Sequence, residues 1–457
     1  MHLVRKACWL VFVASLLPGL VIGPSSGWAA SESDTTLAII EGMLVDGNGG
    51  PPVHDAVILI QGDKITAVGP RGTVQVPENA QIISAGGMSV LPGLFDLHVH
   101  LILMGHGKYD EYFPRYRSRM RQEIMPASAR ELLLHGITSA CDMGVNLEDI
   151  LEVRDRINRD EIPGPRLFIC GPFLQKTLPT EGMYDMTNQA FFRSTIDGPE
   201  DARAKTRQLL DAGVDFIKLI QGAEMAPAEL SAIVEEAHEA GKTVATHGMG
   251  EEEIRVVVEA GVDSIEHTGL GPGALPYTHD VIKLLREKNT YVVPTGIVAW
   301  VYKLTQDFPA RRYNRDVRQD FASDLVQDVE ASIHDFTGLT YFADAPGWIE
   351  NGPARWRQLI SSGVRVVVGT DSGTPINFHT DSTWREIQLL VQHGMSPLQA
   401  ISAATKWPAH LMKQEASLGT IEPGKLADVI VVKGNVLEDI SNLRNVVQVI
   451  KGGKVYK

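Results

Sequence analysis

The organisation of the chain becomes visible at one stretch, Leu91-Pro92-Gly93-Leu94-Phe95-Asp96-Leu97-His98-Val99-His100. Pro92-Gly93 marks a turn, and the apolar residues after it are typical of a buried strand. Residues two positions apart on a strand project from the same face, so His98 and His100 can converge on a single ion. Paired histidines are also common on surface strands, and the meaning of this pair therefore depends on partners at the ends of other strands.

The composition indicates a soluble globular protein larger than one ordinary domain. The chain has 457 residues, of which 44% are hydrophobic and 21% are charged, and these fractions are typical of globular proteins. This length accommodates a single barrel with a small appended domain. The formal net charge is −14 and we find no Lys/Arg cluster. Nucleic acid is therefore disfavoured as a partner, because phosphate neutralisation needs clustered cations.

Residues 1–30 are predicted to form a secretory signal peptide. Arg5 and Lys6 precede a mostly apolar run, and small residues offer cleavage after Ala29 or Ala30. An uncleaved anchor helix is the alternative, which the Pro and Gly residues inside the run disfavour. Cleavage would take the net charge from −14 to −16. We expect export to a bacterial periplasm, with no stable membrane anchor afterwards.

The cysteines do not indicate a disulfide scaffold. Cys8 leaves with the signal peptide, and Cys141 and Cys170 lie in apolar runs typical of strands. The two remaining thiols can form at most one disulfide, which is too few for a disulfide-stabilised fold of this length. We interpret both as small buried hydrophobic residues, and the sequence leaves open whether they contact each other.

Both ends of the mature chain are rich in short β patterns. Residues 31–90 carry β runs separated by glycine-containing turns, and residues 416–457 repeat this style. Two β-rich ends around a different middle predict one small β-sandwich assembled from both termini.

Residues 91–415 alternate apolar strands with helical segments, as do βα units around a parallel sheet. Eight strand candidates occur, at 91–100, 137–143, 166–173, 214–220, 243–246, 264–266, 291–294 and 364–369. Eight such units predict an α/β fold, a (β/α)8 TIM-type barrel with its chemistry at the carboxyl ends of the strands. The charged and aromatic segment 298–362 precedes the last strand, and we expect a helical insertion over the barrel mouth.

Chemically informative residues stand in or at the ends of four further strands. They are Lys218, His247, His267 and Asp371. A histidine at a strand end is more often structural, and an Asp before Ser-Gly is more often a turn residue. A lysine inside an apolar strand is harder to explain, because a buried unpaired ammonium is costly. Together with the opening pair these residues predict a metal site, since neutral imidazoles and oxygen ligands suit Zn²⁺ or a similar divalent ion.

The order His-x-His, Lys, His, His, Asp on successive barrel strands resembles the amidohydrolase superfamily, specifically its binuclear type with a carboxylated lysine. Two further motifs look like that family, namely Ala400-Ile401-Ser402-Ala403-Ala404-Thr405 and Gly424-Lys425-Leu426-Ala427-Asp428-Val429. The resemblance covers roughly residues 35–457. Similarity to the imidazolonepropionase-related and Xaa-Pro dipeptidase (prolidase-like) branch is carried by Ser264-Ile265-Glu266-His267 and Gly369-Thr370-Asp371-Ser372-Gly373.

The resemblance implies two bound divalent ions, with Zn²⁺ favoured. The implied ligands are His98, His100 and Asp371 for the more buried ion, and His247 and His267 for the more exposed one. Lys218, carboxylated by CO₂, would bridge the two. In such sites, metals roughly 3.5–4 Å apart share a hydroxide and polarise the substrate carbonyl. Asp371 would take the proton of this hydroxide and pass it to the leaving amine.

Two segments depart from the prolidase-like pattern. Cys141 stands where that branch often has Arg, and the loop 178–184 lacks the Gly-Gly-His that is common there. Such loops shape the substrate pocket. The departures therefore weaken a peptidase assignment and leave the metal chemistry untouched.

The favoured function is an exported metal-dependent hydrolase of an amide C–N bond, acting on a small molecule such as an N-acyl amino acid, a dipeptide-like or a cyclic amide. An esterase, lactonase or organophosphate hydrolase on the same site stays an alternative. A non-catalytic binding barrel is disfavoured, because such relatives usually lose ligands and all six positions are filled here. A mononuclear deaminase would not need Lys218 and would carry a Glu shortly after His247. The substrate and the oligomeric state, including a homo-oligomer, stay open.

Overall fold

The computed structural model describes residues 36–177, 190–271, 275–313 and 318–457. The predicted signal peptide, residues 1–30, lies outside these ranges. Within them the chain has an α/β fold that combines one mixed sheet with two sheets of parallel strands. None of the described helices is both long and apolar enough to cross a membrane.

The described strands and helices alternate through the middle of the chain. The strands are β1 Thr36–Leu44, β2 Val53–Gln61, β3 Lys64–Pro70, β4 Gln81–Ser84, β5 Met88–Pro92, β6 Leu94–Val99, β7 Ile137–Asp142, β8 Arg166–Ile169, β9 Phe173–Gln175, β10 Arg193–Thr195, β11 Phe216–Leu219, β12 Thr243–His247, β13 Ser264–Glu266, β14 Tyr291–Val293, β15 Arg365–Val366, β16 Val429–Lys433, β17 Val446–Lys451 and β18 Lys454–Val455. The α-helices are α1 Tyr109–Tyr116, α2 Met125–Leu134, α3 Leu147–Asn158, α4 Pro199–Asp211, α5 Pro227–Glu239, α6 Glu251–Glu259, α7 His279–Glu287, α8 Ile297–Asp307, α9 Ser323–Ser332, α10 Ala345–Ser361, α11 Ser382–Gln392, α12 Pro397–Ala403 and α13 Lys406–Leu411. Short helices lie at Met120–Ile124, Gly222–Glu224, Pro309–Tyr313, Phe336–Gly338, Thr340–Phe342 and Ile440–Arg444.

The mixed sheet joins the two ends of the described chain. Its strand order is β18-β17-β16-β5-β1-β2-β3, and β4 pairs with β1. Strand β5 runs parallel to β1 and antiparallel to β16. It therefore connects the amino-terminal strands of the sheet to the carboxyl-terminal ones. Ile39 and Ile58 from the first group and Val431 and Ile450 from the second are buried in a shared core.

The stretch around Gly93 belongs to two strands, although its sequence reads as one. Leu91 pairs with Ile430 in the mixed sheet, whereas Leu94 pairs with Ile137 in a parallel sheet. A Cβ on Gly93 would overlap the side chain of Thr138, so only glycine allows this close approach. The change from one sheet to the other therefore falls at Gly93, slightly later than the predicted boundary at residue 90.

The middle of the chain forms parallel sheets in the orders β6-β7-β8 and β10-β9-β11-β12-β13-β14-β15. Backbone hydrogen bonds connect the two at both edges of the smaller sheet. Asp215 N–H donates to Ile169 O at 2.7 Å, and Leu97 N–H donates to Val368 O at 3.1 Å. The carboxyl ends of these strands consequently lie together at one side of the molecule.

Two predicted strands differ from the observed ones. The candidate 166–173 splits into β8 and β9, because Gly171 adopts a φ of +68° and the following proline has no N–H for the ladder. The candidate 364–369 shrinks to Arg365–Val366. Beyond it the segment still bonds to β6, because Val368 O accepts the Leu97 N–H and Asp371 N–H donates to His98 O, whereas Val368 N–H donates to Ala403 O of α12.

Segment 298–362 is helical in its described residues, and it comprises most of α8 together with α9 and α10. It rests on the helices that follow β6 through three Arg–Asp ion pairs: Arg115–Asp328, Arg119–Asp324 and Arg130–Asp320. Exposed pairs of this kind contribute little individually, about 0–1 kcal/mol. They nevertheless fix which helices after β6 the insertion contacts.

A buried carboxylate, Asp96, ties the first parallel strand to two later segments. Its Oδ1 accepts the backbone N–H groups of His98 and Thr370, both at 3.1 Å. Its Oδ2 accepts the hydroxyls of Thr370 and Thr383, both at 2.7 Å. The side chain is fully buried and burial raises its pKa to about 6. Asp96 thereby holds the end of β6 against the chain after β15 and the start of α11.

We expect Asp96→Ala to destabilise the fold, because the change removes the buried carboxylate that accepts hydrogen bonds from four interior donors. One such loss costs about 1–3 kcal/mol, and the breakdown of a whole buried network approaches about 4–5 kcal/mol. Thermal denaturation of chelator-treated protein measures the effect free of any bound metal. The matched control is Glu287→Ala, whose side chain is 63% exposed and should change stability by less than about 0.5 kcal/mol. Equal midpoints for the two variants would contradict this role of Asp96.

Candidate metal centre

Two histidines and one aspartate converge at the carboxyl ends of the first and last parallel strands. Ligand atoms of His98, His100 and Asp371 all lie within 4.8 Å of one another. Asp371 Oδ1 is 3.1 Å from His100 Nε2 and 3.5 Å from His98 Nε2. The backbone fixes this approach, since Asp371 N–H donates to His98 O at 2.7 Å. The predicted same-face pair of histidines therefore meets a carboxylate that is distant in the chain.

A second pair of histidines stands beside the first group. His247 ends β12 and His267 follows β13, and their Nε2 atoms are 3.2 Å apart. The rings of His98 and His267 are 4.7 Å apart between centroids, so the two groups share one space. Two imidazole nitrogens this close need a hydrogen or a cation between them. The pair can therefore share either a proton or a metal ion.

Lys218 lies in the same interior, on β11. Its side chain is only 1% exposed, and its Nζ finds no hydrogen-bond partner in the described part of the chain. Burial lowers the pKa of Lys218, while the charges of Glu266 and Asp371 oppose that shift. A lysine that is easily neutralised in this way is a nucleophile toward CO₂.

The protonation of the histidines suits a metal. Burial, and then the charge of Lys218, hold the pKa values of His98 and His247 well below the ordinary value. Burial also lowers the pKa of His267 to about 4. Neutral imidazole is the form that binds metals. The Nε2 of His98 is buried without a hydrogen-bond partner among the described residues, and a divalent ion would satisfy it.

Glu266 orients His98, a role that the sequence did not reveal. Its Oε2 accepts a hydrogen bond from His98 Nδ1 at 2.7 Å, and its Oε1 accepts the Ser264 hydroxyl at 3.0 Å. When Glu266 is ionised it only accepts, which places the proton of His98 on Nδ1 and leaves the Nε2 lone pair toward Asp371. Burial raises the pKa of Glu266 to about 7, and the charge of Lys218 acts against this shift. The alternation Ser264-x-Glu266 was the available signal, because it puts both residues on one face of the strand.

Three residues at the strand ends adopt left-handed backbone conformations. The φ values are +60° at His267, +46° at Thr295 and +57° at Asp371. This region is unfavourable for any residue with a Cβ and most of all for a β-branched one. The strained backbone at Thr295 also brings a side chain into the candidate site, because the Thr295 hydroxyl lies 2.8 Å from His267 Nδ1. Strained backbone of this kind is concentrated at active sites.

A cavity of about 220 Å³ opens onto His100, His247, His267 and Asp371. Its walls carry six aromatic side chains, namely Tyr109, Phe113, Phe173, Phe192, Tyr341 and Trp348. Tyr341 reaches the site from the insertion and donates its hydroxyl to Asp371 Oδ2 at 3.1 Å. The sequence analysis did not single out Tyr341, since nothing in segment 298–362 indicates which aromatic residue faces inward.

Cys141, one of the departures noted in the sequence, lies in the protein interior, as does Cys170. Cys141 and Cys170 are both buried and free, and Cys170 Sγ donates to Asp142 O at 3.4 Å. Burial raises the pKa of both thiols well above the ordinary value, which fits their interpretation as inert interior residues. The loop 178–184 lies outside the described residues.

Comparison with known proteins places these features in a family. Residues 89–456 match the family described as "Amidohydrolase family". The ochratoxinase of Aspergillus niger is 27% identical over 471 residues, which span 94% of this chain and 88% of that protein. The imidazolonepropionase of Geobacillus kaustophilus is 27% identical over 492 residues, spanning 99% and 97%. The crystal structure of a Xaa-Pro dipeptidase with bound methionine in the active site is similar with a TM-score of 0.74 and 28% identity, covering 93% of this chain and all of that chain.

The resemblance predicted from the strand-end residues is thereby confirmed. The match covers the parallel strands, the mixed sheet from β5 onward and every residue of the candidate metal centre. Metal binding is general in this family, and the group His98, His100 and Asp371 is able to hold an ion. The protein belongs to the amidohydrolase family and is a hydrolase of amide carbon–nitrogen bonds.

Proposed function

We propose that this enzyme is an exported binuclear metal-dependent amidohydrolase that cleaves an N-acyl amino acid, a dipeptide-like or a cyclic amide. The observation that carries the proposal is a pair of buried nitrogens, His98 Nε2 and Lys218 Nζ, which lack hydrogen-bond partners among the described residues and lie beside other ligand side chains. The relative that holds methionine in its active site supports an amino acid as one product. The apolar start behind Arg5 and Lys6 supports export to a bacterial periplasm.

The architecture in this proposal is the closed (β/α)8 barrel of residues 91–415. It is supported by the hydrogen bonds at both edges of the smaller parallel sheet, from Asp215 to Ile169 and from Leu97 to Val368. A barrel leaves no exposed strand edge at the site. The ligands would then surround the mouth of the barrel at the carboxyl ends of its strands.

A small β-sandwich formed by residues 31–90 and 416–457 completes the proposed architecture. The turn between β2 and β3 folds back toward the carboxyl-terminal strands, and Ile65 N–H donates to Lys425 O at 2.9 Å. This contact supports a small β domain built from both ends of the chain. The insertion 298–362 would cover the barrel mouth, as its contribution to the cavity wall supports.

Two divalent ions, with Zn²⁺ favoured, fit the side chains at this mouth. The proposed ligands are His98, His100 and Asp371 for one ion and His247 and His267 for the other, with Lys218 between them. Carboxylation by CO₂ would give Lys218 the two oxygens that bridging requires and remove the unpaired buried amine. When bound, the ions would supply Lewis acidity at the amide carbonyl and a water activated at neutral pH.

Asp371 is proposed to move the proton that hydrolysis requires. One carboxylate oxygen faces His98 and His100, and the other accepts the Tyr341 hydroxyl. At this position the carboxylate would take a proton from the attacking water as the new C–O bond forms. It would return that proton to the amide nitrogen as the C–N bond breaks, releasing a carboxylic acid and an amine. Tyr341 would hold the carboxylate in the required orientation.

The reaction class is tested with metal-loaded protein on a panel of N-acyl amino acids, dipeptides, cyclic amides, esters and lactones. We expect turnover of amides, with a loss of about 100-fold or more in Asp371→Asn because proton transfer is removed. Metal content, measured by mass spectrometry, should stay nearly constant in this variant because the Asn amide oxygen remains a ligand. Unchanged turnover would rule Asp371 out as the proton carrier, and turnover of esters or lactones alone would overturn the amide assignment.

Lys218→Ala is expected to abolish binding of the metal pair, since both ions would lose their shared ligand. Short carboxylic acids such as propionate should partly restore metal binding and turnover by filling the space of the missing carbamate. Metal stoichiometry is the measurement, and Lys288→Ala, on an exposed position after α7, is the matched control. A Lys218→Ala protein with two metals per chain and full activity would show that Lys218 does not bridge.

Tyr341→Phe keeps the ring but removes the hydroxyl that Asp371 Oδ2 accepts. A hydrogen bond to a charged group contributes about 1.5–3 kcal/mol, so kcat should fall by about ten- to a hundredfold. Metal content should not change, because the ring still packs against Phe342 and Trp348. Steady-state kinetics on the best substrate of the panel provide the measurement, and a kcat equal to that of the parent enzyme would refute this role.

A further inference from the structure

A buried carboxyl group on α11, Glu386, has no part in the proposed reaction. Its side chain is 1% exposed, and both of its oxygens accept backbone N–H groups at the start of α8. Oε1 accepts the N–H of Gly296 at 3.1 Å, and Oε2 accepts the N–H of Ile297 at 2.7 Å. The first N–H groups of an α-helix have no partner within the helix. Glu386 therefore caps α8 from a distant part of the chain.

This cap and the start of α8 depend on each other. Burial raises the pKa of Glu386 to about 8, the two backbone N–H groups act against that shift, and the charge of Asp96 adds to it. A carboxyl group is costly in such an interior unless its oxygens are hydrogen-bonded. The residue at the amino-terminal cap of α8 is Gly296, which has no side chain to accept these bonds. A displacement of Glu386 would consequently move the first turn of α8.

The residue directly before this turn is Thr295, whose hydroxyl reaches the candidate metal centre. Its φ of +46° is unfavourable for a β-branched residue, and such a conformation persists only where the surrounding structure holds it. On its carboxyl-terminal side the chain is held by Glu386 and by Val298 N–H, which donates to Thr295 O at 3.0 Å. The position of the Thr295 hydroxyl therefore depends on Glu386.

The Thr295 hydroxyl in turn determines how His267 presents its second nitrogen. It lies 2.8 Å from His267 Nδ1, and His267 Nε2 lies 3.2 Å from His247 Nε2. When Nδ1–H donates to the hydroxyl oxygen, the lone pair of Nε2 is directed toward His247. Metal-binding imidazoles typically donate their other N–H to an oxygen in this way, which fixes both tautomer and ring orientation.

Helix α11 reaches the first group of candidate ligands in the same manner. Thr383 donates its hydroxyl to Asp96 Oδ2 at 2.7 Å, and Asp96 Oδ1 accepts the backbone N–H of His98 at 3.1 Å. Thr383 and Glu386 are three positions apart in the helix, so they project from the same face. One face of α11 therefore supports both groups of candidate ligands, in each case through one intermediate residue.

We infer that Glu386 is a positioning residue for the ion at His247 and His267, because it holds Thr295 where its hydroxyl keeps His267 Nε2 free for the metal. The inference rests on the second ion of the proposed function and is independent of the substrate and of the reaction class. The hydrogen bonds of Glu386 go to the backbone at the start of α8 and to no candidate ligand among the described residues. Its effect on the ion is therefore indirect.

The test is a double-mutant cycle on metal affinity, measured by competition between the chain and a Zn²⁺ chelator. Glu386→Gln keeps the size of the side chain, but an amide has one acceptor oxygen and its N–H₂ group would face a backbone N–H. The cycle also contains Thr295→Ala, Thr295→Ser and Glu386→Gln/Thr295→Ala. Glu229→Gln is the matched control, since Glu229 is 2% exposed and accepts the N–H groups of Ala226, before α5, and Gly198.

Loss of a residue that orients a metal ligand lowers metal affinity by about 10- to 100-fold. We expect Glu386→Gln and Thr295→Ala each to weaken the second ion by about tenfold or more and to leave the first nearly unchanged. Thr295→Ser retains the hydroxyl and should bind like the parent protein. Because Glu386 acts through Thr295, the double variant should bind no more weakly than Thr295→Ala. Glu229→Gln should lower the thermal midpoint and keep the parent affinity for both ions.

Three outcomes of the affinity measurements would overturn the inference. They are parent affinity for the second ion in Glu386→Gln, equal weakening in Glu229→Gln, and a double variant in which the two separate losses multiply. If Glu386→Gln yields no folded protein, Glu386→Asp takes its place under the same criteria, because it keeps both acceptor oxygens and draws them back by one methylene.

Histidine NMR separates this inference from the proposed function. In metal-free protein with ¹⁵N-labelled histidine, the parent should show His267 protonated at Nδ1, and Glu386→Gln should show a mixture of tautomers. His267→Asn identifies the signals by their absence. A parent chain that binds a single ion would refute the proposed binuclear centre, and the NMR spectra would still decide the role of Glu386. A His267 tautomer that is the same in the parent and in Glu386→Gln would overturn the inference.

Discussion

A buried amine sets the strongest physical constraint on this protein. Lys218 is 1% exposed, and its Nζ has no hydrogen-bond partner among the described residues. Keeping an unpaired ammonium in such an interior is costly, and burial accordingly lowers its pKa. The buried Nε2 of His98 is in the same situation. The environment is thus incomplete as a purely protein interior, and a carboxylated lysine with bound ions would complete it.

The residues around this centre are held by a second layer of polar contacts. Glu266 fixes the tautomer of His98, and Asp96 accepts the backbone N–H of the same residue while binding Thr370 and Thr383. These bonds keep the histidine ring and its strand in one orientation, as metal ligands require. The strained backbone at Thr295 has the same consequence, since it brings a hydroxyl to the second pair of histidines. Stability and site geometry therefore depend on the same interactions.

The candidate ligands and part of the cavity wall come from different parts of the chain. The candidate ligands stand in or just after parallel strands, which form a rigid support. Some residues of the cavity wall come instead from segments outside those strand ends: Tyr341 from the insertion and Arg193 from the short strand β10. This division is typical of enzymes in which loops vary around a constant catalytic centre. It is consistent with relatives that are named for such different substrates.

The sequence by itself determined the family, the parallel α/β organisation and the positions of the candidate ligands. It could do so because strand alternation and the order of strand ends are local patterns, as at His98 and His100. Only the tertiary structure decided the partners of those residues. Glu266 meets His98 across 168 positions of the chain, and Tyr341 meets Asp371 across 30. The break at Gly93 likewise depends on the side chain of Thr138. Such contacts depend on how separate strands and an insertion pack together, and no local pattern in the sequence records that packing.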